Sequence, residues 1–337
     1  MYSGPAETFP RLLGDIGGTN ARFALVREAG APVSDIRQLA AADFAGPFEA
    51  VQAYLAGLDV ASPRRAAIGI ANPITGDWLQ MTNHSWAFSI EALRQQLGLD
   101  RLRFLNDFTA LALALPHLAA DEREQVGGGA PAHDCAIGVI GPGTGLGVSS
   151  LAPDDGQWIP LPGEGGHVTL AAQTDEEMAV VRVFARAFGH VSAERVLSGP
   201  GLVALHQALA EVRGITAAPL EAAEITRAAL AGSDALCLAT LQTFCALLGG
   251  TAGNLALTLG ARGGIYIGGG IVPRLGSFFA ASPFRERFEA KGRFRGYLAA
   301  IPTYVIQAAA PALTGAAAAL QAEVSREARH FPTISSK

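Results

Sequence analysis

The chain has 337 residues, room for two domains at roughly 150 residues each, and half of it is hydrophobic with 16% charged, which excludes a disordered chain. A net charge of −5 leaves no electrostatic footprint for nucleic acid, and any anionic ligand must be held by local donors. Three scattered cysteines, Cys135, Cys237 and Cys245, show no CxxC spacing, so a disulfide framework or zinc site is not expected and a reducing, cytoplasmic setting fits.

The start MYSGPAETFPRLL lacks the layout of a signal peptide, and no uninterrupted apolar run has the length of a membrane span, so no membrane is expected. Residues 11–16 read as a strand, 17–20 (GGTN) as a turn and 21–27 as a second strand. Strands joined this closely form a hairpin, which argues against a dinucleotide fold, where a helix follows the glycines. Residues 66–71 (AAIGIA) are a strand, and 89–97 a helix with Ser89 as its N-cap. A strand at 102–105 ends in Asn106-Asp107, followed by a helix at 108–115 stopped by Pro116. The loop 127–134 is a candidate domain boundary. The pattern then restarts, with strands at 135–140 and 146–151 around the turn 141–145. Gly18-Thr19 and Gly143-Thr144 hold the same place in the two hairpins, which reads as a duplication or as a coincidence of two Gly-rich turns. Helical periodicity covers 175–188, 201–212, 221–231 and 233–259. A strand at 264–267 runs into Gly268-Gly269-Gly270, and a last strand at 301–307 precedes a helix near 314–326. Hairpins with crossing helices indicate two α/β domains with a cleft between them, divided as 1–117 with 308–337 for the smaller and 118–307 for the larger.

Glycine turns expose backbone N–H groups that cradle phosphates, and the turns at 17–19 and 143–145 each add a threonine hydroxyl. They also read as ordinary hairpins. Asp15, just before the first turn, suits holding a divalent metal and its waters, or is a solvated turn residue. Asp107, at a strand end opening a helix, suits accepting a proton from an attacking hydroxyl, where placement matters more than basicity, or it caps the helix. In Gly163-Glu164-Gly165-Gly166-His167, an acid and a histidine among glycines suit several hydroxyl contacts, or form a surface turn. Glu194 by itself reads as a charge at a helix start. Gly268-Gly269-Gly270 lets backbone lie against a nucleoside, or makes a tight strand-to-helix turn.

Assembled, these segments resemble the bacterial glucokinase family, in the zinc-free group of the actin-like ATPase and hexokinase superfamily, over nearly the whole chain. The resemblance is carried by LGDIGGTNAR at 13–22, PITGDW at 73–78, MTNHSW at 81–86, LNDFTA at 105–110, GTGLG at 143–147, LPGEGGH at 161–167, SAERVLSG at 192–199 and IGGGIVPR at 267–274. It implies a two-domain actin-like (ribonuclease H-like) fold, each domain a mixed sheet with flanking helices. It implies ATP-dependent phosphorylation of glucose, Mg2+ held at Asp15, and Asp107 as base. It assigns glucose to Asn106, Asp107, Glu164, His167 and Glu194, and ATP to Gly14, Asp15, Ile16, Gly17, Gly18, Thr19, Gly143, Thr144, Gly145 and Gly269. It also implies a homodimer and a cleft that closes on sugar. Asn72 stands where the family usually has cysteine, and PALTGA at 311–316 matches the family's C-terminal segment only loosely.

Three other readings compete. A sugar-sensing transcription regulator needs a DNA-binding segment for which 13 residues before Gly14 are too few. A sugar-independent actin-like ATPase would have no use for the Glu164–His167 pair. A kinase for another hexose differs by a single hydroxyl contact.

Overall fold

The computed structural model describes residues 8–82 and 84–330; Asn83 of the MTNHSW segment lies outside them. The chain forms two compact units, one running to Leu118 and resuming at Ala309, the other spanning Ala119–Ala308. The loop 127–134, a candidate boundary, lies inside the second unit, where the Gln125 amide donates to the carbonyls of Gly128 (3.1 Å) and Gly129 (3.0 Å).

The first unit opens with the expected hairpin, β1 (Arg11–Ile16) and β2 (Asn20–Val26). β3 (Ser34–Ala40), α1 (Pro47–Ala56), β4 (Arg65–Ile70) and the small ribbon β5 (Trp78–Gln80) and β6 (Ala87–Ser89) follow. Then come α2 (Ile90–Gln96), β7 (Arg101–Asn106) and α3 (Asp107–Ala114). Ser89 caps α2 as expected, accepting from Ala92 N at 3.0 Å, and Asp77 reinforces that end by accepting from Glu91 N at 2.8 Å. Pro116 ends α3 only by converting it to a 3-10 turn at Leu115–His117. The sheet order is β3-β2-β1-β4-β7, antiparallel through the hairpins and parallel from β1 to β7. One face buries Phe23, Tyr54, Ile68 and Trp86. The other carries Leu13, Ala24 and Ala67 against Leu313, Ala316 and Leu320 of the C-terminal helix Pro311–His330. That helix starts three residues before the expected 314, with Pro311 at its first position, where the missing N–H costs nothing.

The second unit repeats the strand plan. β8 (Arg123–Gln125) precedes the hairpin of β9 (Ile137–Pro142) and β10 (Leu146–Asp154), and β11 (Gln157–Gly163) pairs beside β10. Helices α4 (Asp175–Phe188), α5 (Ala193–Val196), α6 (Gly199–Arg213), α7 (Ala222–Ala231) and α8 (Ala235–Leu259) lead to β12 (Ile265–Ile267). Short helices α9 (Ser277–Ala281), α10 (Phe284–Glu289) and α11 (Arg295–Ala300) then precede β13 (Thr303–Ile306). The order is β11-β10-β9-β12-β13-β8, with β9, β12 and β13 parallel. Antiparallel, antiparallel, parallel, parallel is the sequence of pairings in the first sheet and of the first four in the second, where β8 adds a fifth, antiparallel; the shared order fits a duplication of the hairpin unit. β11 carried no expectation; as an edge strand it can hold both Pro160 and Pro162, since donors there are not all needed. α8 alone among the described residues has the length and hydropathy of a membrane span, and most of it is buried inside this unit.

Candidate functional site

In the first unit, strand register gathers the candidates. Ile16 pairs with Ile70, and Ile70 with Asn106, so three parallel strands end on one row. The segments leaving that row are the turn at 17–19, the loop after β4, and α3 starting at Asp107. With strands spaced about 4.8 Å apart, Asn106 lies about 10 Å across the sheet from Ile16. The turn is closed by Gly17 N donating to Asn20 O (2.9 Å), and Ala41 N donates to Thr19 O (2.9 Å). Ala71 N donates to Ile16 O (3.1 Å), tying the loop after β4 to the turn. In that loop Asn72 Oδ1 accepts from Thr82 Oγ1 at 3.1 Å.

The cap of α3 is Asn106, not Asp107. The Asn106 Oδ1 accepts from Phe108 N (3.0 Å) and Thr109 N (3.2 Å), which leaves its amide nitrogen as the group that can donate to a ligand. Asp107 occupies the first helical position, with Oδ1 2.9 Å from Phe108 N, where the positive end of the helix favours a carboxylate. Gly69 on β4 was not expected to matter. A Cβ there would stand 3.3 Å from Ala110 Cβ and 3.9 Å from Asp107 Cα, so its bareness lets the first turn of α3 lie on the sheet.

Asp15 sits on β1 opposite Arg22 on β2, with Arg22 Nη1 at 3.4 Å from its Oδ2 and the carboxyl only 19% exposed. Burial raises its pKa, and the Arg22 charge and hydrogen bond pull back against that. A desolvated, partly compensated carboxylate next to a phosphate-type turn fits a divalent cation. No group of three or more His, Cys, Asp or Glu able to hold a metal occurs among the described residues, so Asp15 would share such an ion with phosphate oxygens and water. Arg22 lies in the quoted LGDIGGTNAR segment, but only cross-strand pairing reveals its role.

In the second unit the turn at 143–145 is closed by Gly143 N donating to Gly145 O (2.8 Å), and Gly199 N at the start of α6 donates to Gly143 O (2.8 Å). Gly268-Gly269-Gly270 wraps the end of β9: Gly268 N donates to Ile140 O (2.9 Å) and Ile271 N to Pro142 O (3.2 Å). Gly269 has φ +77 and no room for a Cβ beside the Pro142 carbonyl, so only glycine serves there. The third glycine cluster therefore abuts the second turn.

Glu164, His167 and Glu194 come together. His167 Nδ1 lies 3.9 Å from Glu194 Oε1, and His167 Nε2 lies 4.0 Å from Glu164 Oε2. Both gaps exceed a hydrogen bond, so the three side chains form an open set of acceptors and donors rather than a closed pair network. Glu164 and His167 are 61% and 59% exposed, positions where a structural ion pair would contribute little. Glu194 is held on α5, capped by Ser192, whose Oγ accepts from Arg195 N (3.3 Å). Its Oε2 accepts from Leu146 N at 2.8 Å, a contact with no sequence signal. The glycines between Glu164 and His167 serve packing: a Cβ on Gly165 would meet Val148 Cγ1 at 2.8 Å, and one on Gly166 would strike the Leu146 carbonyl.

The family model described as Glucokinase matches residues 12–323. A glucokinase of Aromatoleum aromaticum is 57% identical over 331 residues, 97% of this chain and 99% of that protein. The crystal structure of a glucokinase from an Antarctic psychrotroph superposes with TM-score 0.87 at 39% identity, covering 94% of this chain and 100% of that one. A Streptomyces griseus ROK-family glucokinase, solved with glucose and AMPPNP, matches with TM-score 0.60 at 20% identity over 92% of this chain and 98% of its own, a likeness of fold.

Proposed function

The chain belongs to the glucokinase family, and on that premise we propose how its residues carry a phosphoryl group from ATP to glucose. Each unit, a mixed sheet flanked by helices, follows the actin-like ATPase fold of the sugar kinases. The observation that carries the assignment is the strand row Ile16–Ile70–Asn106, which supports Asp107 as the base beside the first phosphate turn.

In this reading Asp107 accepts the proton of the glucose 6-hydroxyl as that oxygen bonds to the γ-phosphorus and the bond to the departing ADP oxygen breaks. Little covalent help is needed in a loose transition state, so placement of the carboxylate decides the rate. The Asn106 amide, Glu164, His167 and Glu194 hold sugar hydroxyls. Backbone N–H groups at Gly18 and Thr19, with Gly14, Asp15, Ile16 and Gly17 forming the approach and closing the first turn, and at Thr144 and Gly145, with Gly143 closing the second, receive phosphate oxygens. Gly269 supports the nucleotide from the strand beside them. Asp15 would hold Mg2+, which when bound neutralises phosphate charge as it develops.

We also place the protein in the cytoplasm as a homodimer, feeding glucose 6-phosphate into glycolysis. Cys135, Cys237 and Cys245 are free thiols, which supports a reducing compartment. The expected domain division, 1–117 with 308–337 and 118–307, stands as part of the same reading. Purified protein assayed against a panel of hexoses and phosphoryl donors, with and without Mg2+, tests the whole. ADP release that depends on glucose is the expected result; ADP release without sugar, or preference for another hexose, overturns it.

A further inference from the structure

Glu194 touches both halves of the chemistry in the second unit. Its Oε2 accepts from Leu146 N at 2.8 Å, immediately after the phosphate-type turn, and lies 2.5 Å from the place a Gly145 Cβ would take. Its Oε1 lies 3.9 Å from His167 Nδ1, inside the cluster read as the sugar site. The carbonyl side of Leu146 is closely approached as well, since Gly166 lies against it with no room for a Cβ. The first residue of β10 is thus bonded through its N–H to Glu194 and packed on its carbonyl side against the loop that presents Glu164 and His167.

Resting on the glucokinase reading, we infer that Glu194 is a positioning residue for the nucleotide as well as a sugar contact, and that one carboxylate couples the two ligands. A sugar hydroxyl donating to Oε1 selects the rotamer that keeps Oε2 on Leu146 N. That rotamer holds the turn 143–145 in the shape that receives phosphate. The coupling is reciprocal, as any coupling of binding free energies must be. Gly145 is part of the device, because a methyl group there displaces the carboxylate.

The test is calorimetric binding of Mg2+ with a non-hydrolysable ATP analogue, with and without glucose, and of glucose alone. Glu194→Ala is expected to weaken the nucleotide about tenfold, the scale of one charge-assisted hydrogen bond, and to abolish tightening by glucose. Glu194→Gln, whose amide oxygen can still accept from Leu146 N, restores nucleotide affinity but not glucose affinity. Gly145→Ala, a change in the phosphate turn, weakens glucose. If Glu194→Ala leaves nucleotide affinity unchanged and Gly145→Ala leaves glucose affinity unchanged, the coupling does not exist. Should Glu194→Ala fail to fold, the Gln and Gly145 arms still decide. Wild-type protein that makes no ADP with glucose would overturn the glucokinase reading instead, while the nucleotide comparison stayed valid.

Discussion

Gly315 offers a stringent check on how α3, the helix that begins at Asp107, is supported. It lies in the C-terminal helix Pro311–His330, which crosses α3 so closely that a Cβ on Gly315 would be driven into the Ala110 carbonyl oxygen and reach within 3.1 Å of Ala114 N. Both obstacles are backbone, so no side chain can rotate away. Gly315→Ala must therefore push the two helices apart by on the order of 1 Å, and overpacking of this kind costs about 1–3 kcal/mol or more. The gain in helix propensity from Gly to Ala, about 1 kcal/mol, offsets part of it. With both obstacles backbone, the upper part of that range, about 2–3 kcal/mol, applies, and the net cost of about 1–2 kcal/mol in a unit of this size lowers Tm by roughly 2–8 °C. The same displacement reaches Asp107, one turn before Ala110 on α3, and misplacement of a reacting group by about 1 Å costs on the order of 100-fold in rate. The measurement is a thermal melt beside steady-state kcat at a temperature where the variant remains folded. A variant with wild-type Tm and wild-type kcat would refute both the packing and the idea that α3 is held in register from behind.

Four further outcomes follow from the same geometry. Asp107→Asn keeps glucose affinity and loses most turnover; more than a tenth of wild-type kcat would remove Asp107 from the base role. Glu164→Ala raises the glucose KM more than it lowers kcat, because on the proposed assignment its side chain, beside His167, holds a sugar hydroxyl; an unchanged KM counts against the assignment. Asp15→Asn melts no lower than wild type without ligand, yet its KM for Mg-ATP rises at least about tenfold. The sign follows from burial: a folded pKa raised above 3.8 gives stability at low pH that is lost as pH rises through the folded value, so the ionised carboxylate burdens the ligand-free fold. A clear fall in Tm would show that the Arg22 pair outweighs desolvation. Glu177 behaves oppositely. Its burial raises its pKa, but Arg287 at 2.6 and 2.9 Å and the N–H groups of Gln173 and Thr174 outweigh that and lower it below 4.5. Its contribution is present above 4.5 and lost as pH falls through the folded value, so Glu177→Gln should cost about 3–5 kcal/mol at neutral pH and little in strong acid, read from urea melts across pH.

What the chain discloses by itself is local. The hairpin 11–26 and its counterpart around 143–145 are legible because glycine turn chemistry and apolar alternation act within a dozen residues. Asp107 is legible as a carboxylate at a strand end, and Ser89 as a cap. Among the elements that carried no expectation are β3, whose residues are mostly exposed, and β11, which holds Pro160 and Pro162. Both lie at sheet edges, where tertiary pairing rather than local pattern decides. The choice of Asn106 over Asp107 as cap turns on a single backbone dihedral that sequence does not reveal. Glu194 is 48 positions from Leu146, and nothing in SAERV announces that its carboxylate receives a backbone N–H from another hairpin. Glycines 165 and 166, which separate the acid from the histidine, are set by contact with Val148 and Leu146, neighbours the local sequence does not disclose.

The abundance of small residues has a common cause in both units. A glycine inside a helix costs about 1 kcal/mol against alanine, so α8, with Gly249, Gly250 and Gly253 in its middle, is a poor helix by propensity. Its compensation is proximity: Gly249 and Gly253 lie against the backbone carbonyls of Phe284 and Phe288, and Lys291 Nζ donates to Gly250 O (2.9 Å) and Asn254 Oδ1 (2.6 Å). Phe284 and Phe288 are then buried, each contributing the burial energy of an aromatic side chain, about 1.5–3 kcal/mol, which exceeds the propensity loss. In the first unit Gly69 brings α3 onto β4, and Gly315 brings the C-terminal helix onto α3. Backbone-to-backbone contact of this kind fixes helix position more tightly than interlocked side chains, whose rotamers can yield. The helix so fixed in the first unit is the one that begins at Asp107. Methyl groups added along this stack should therefore affect turnover at least as strongly as they affect folding.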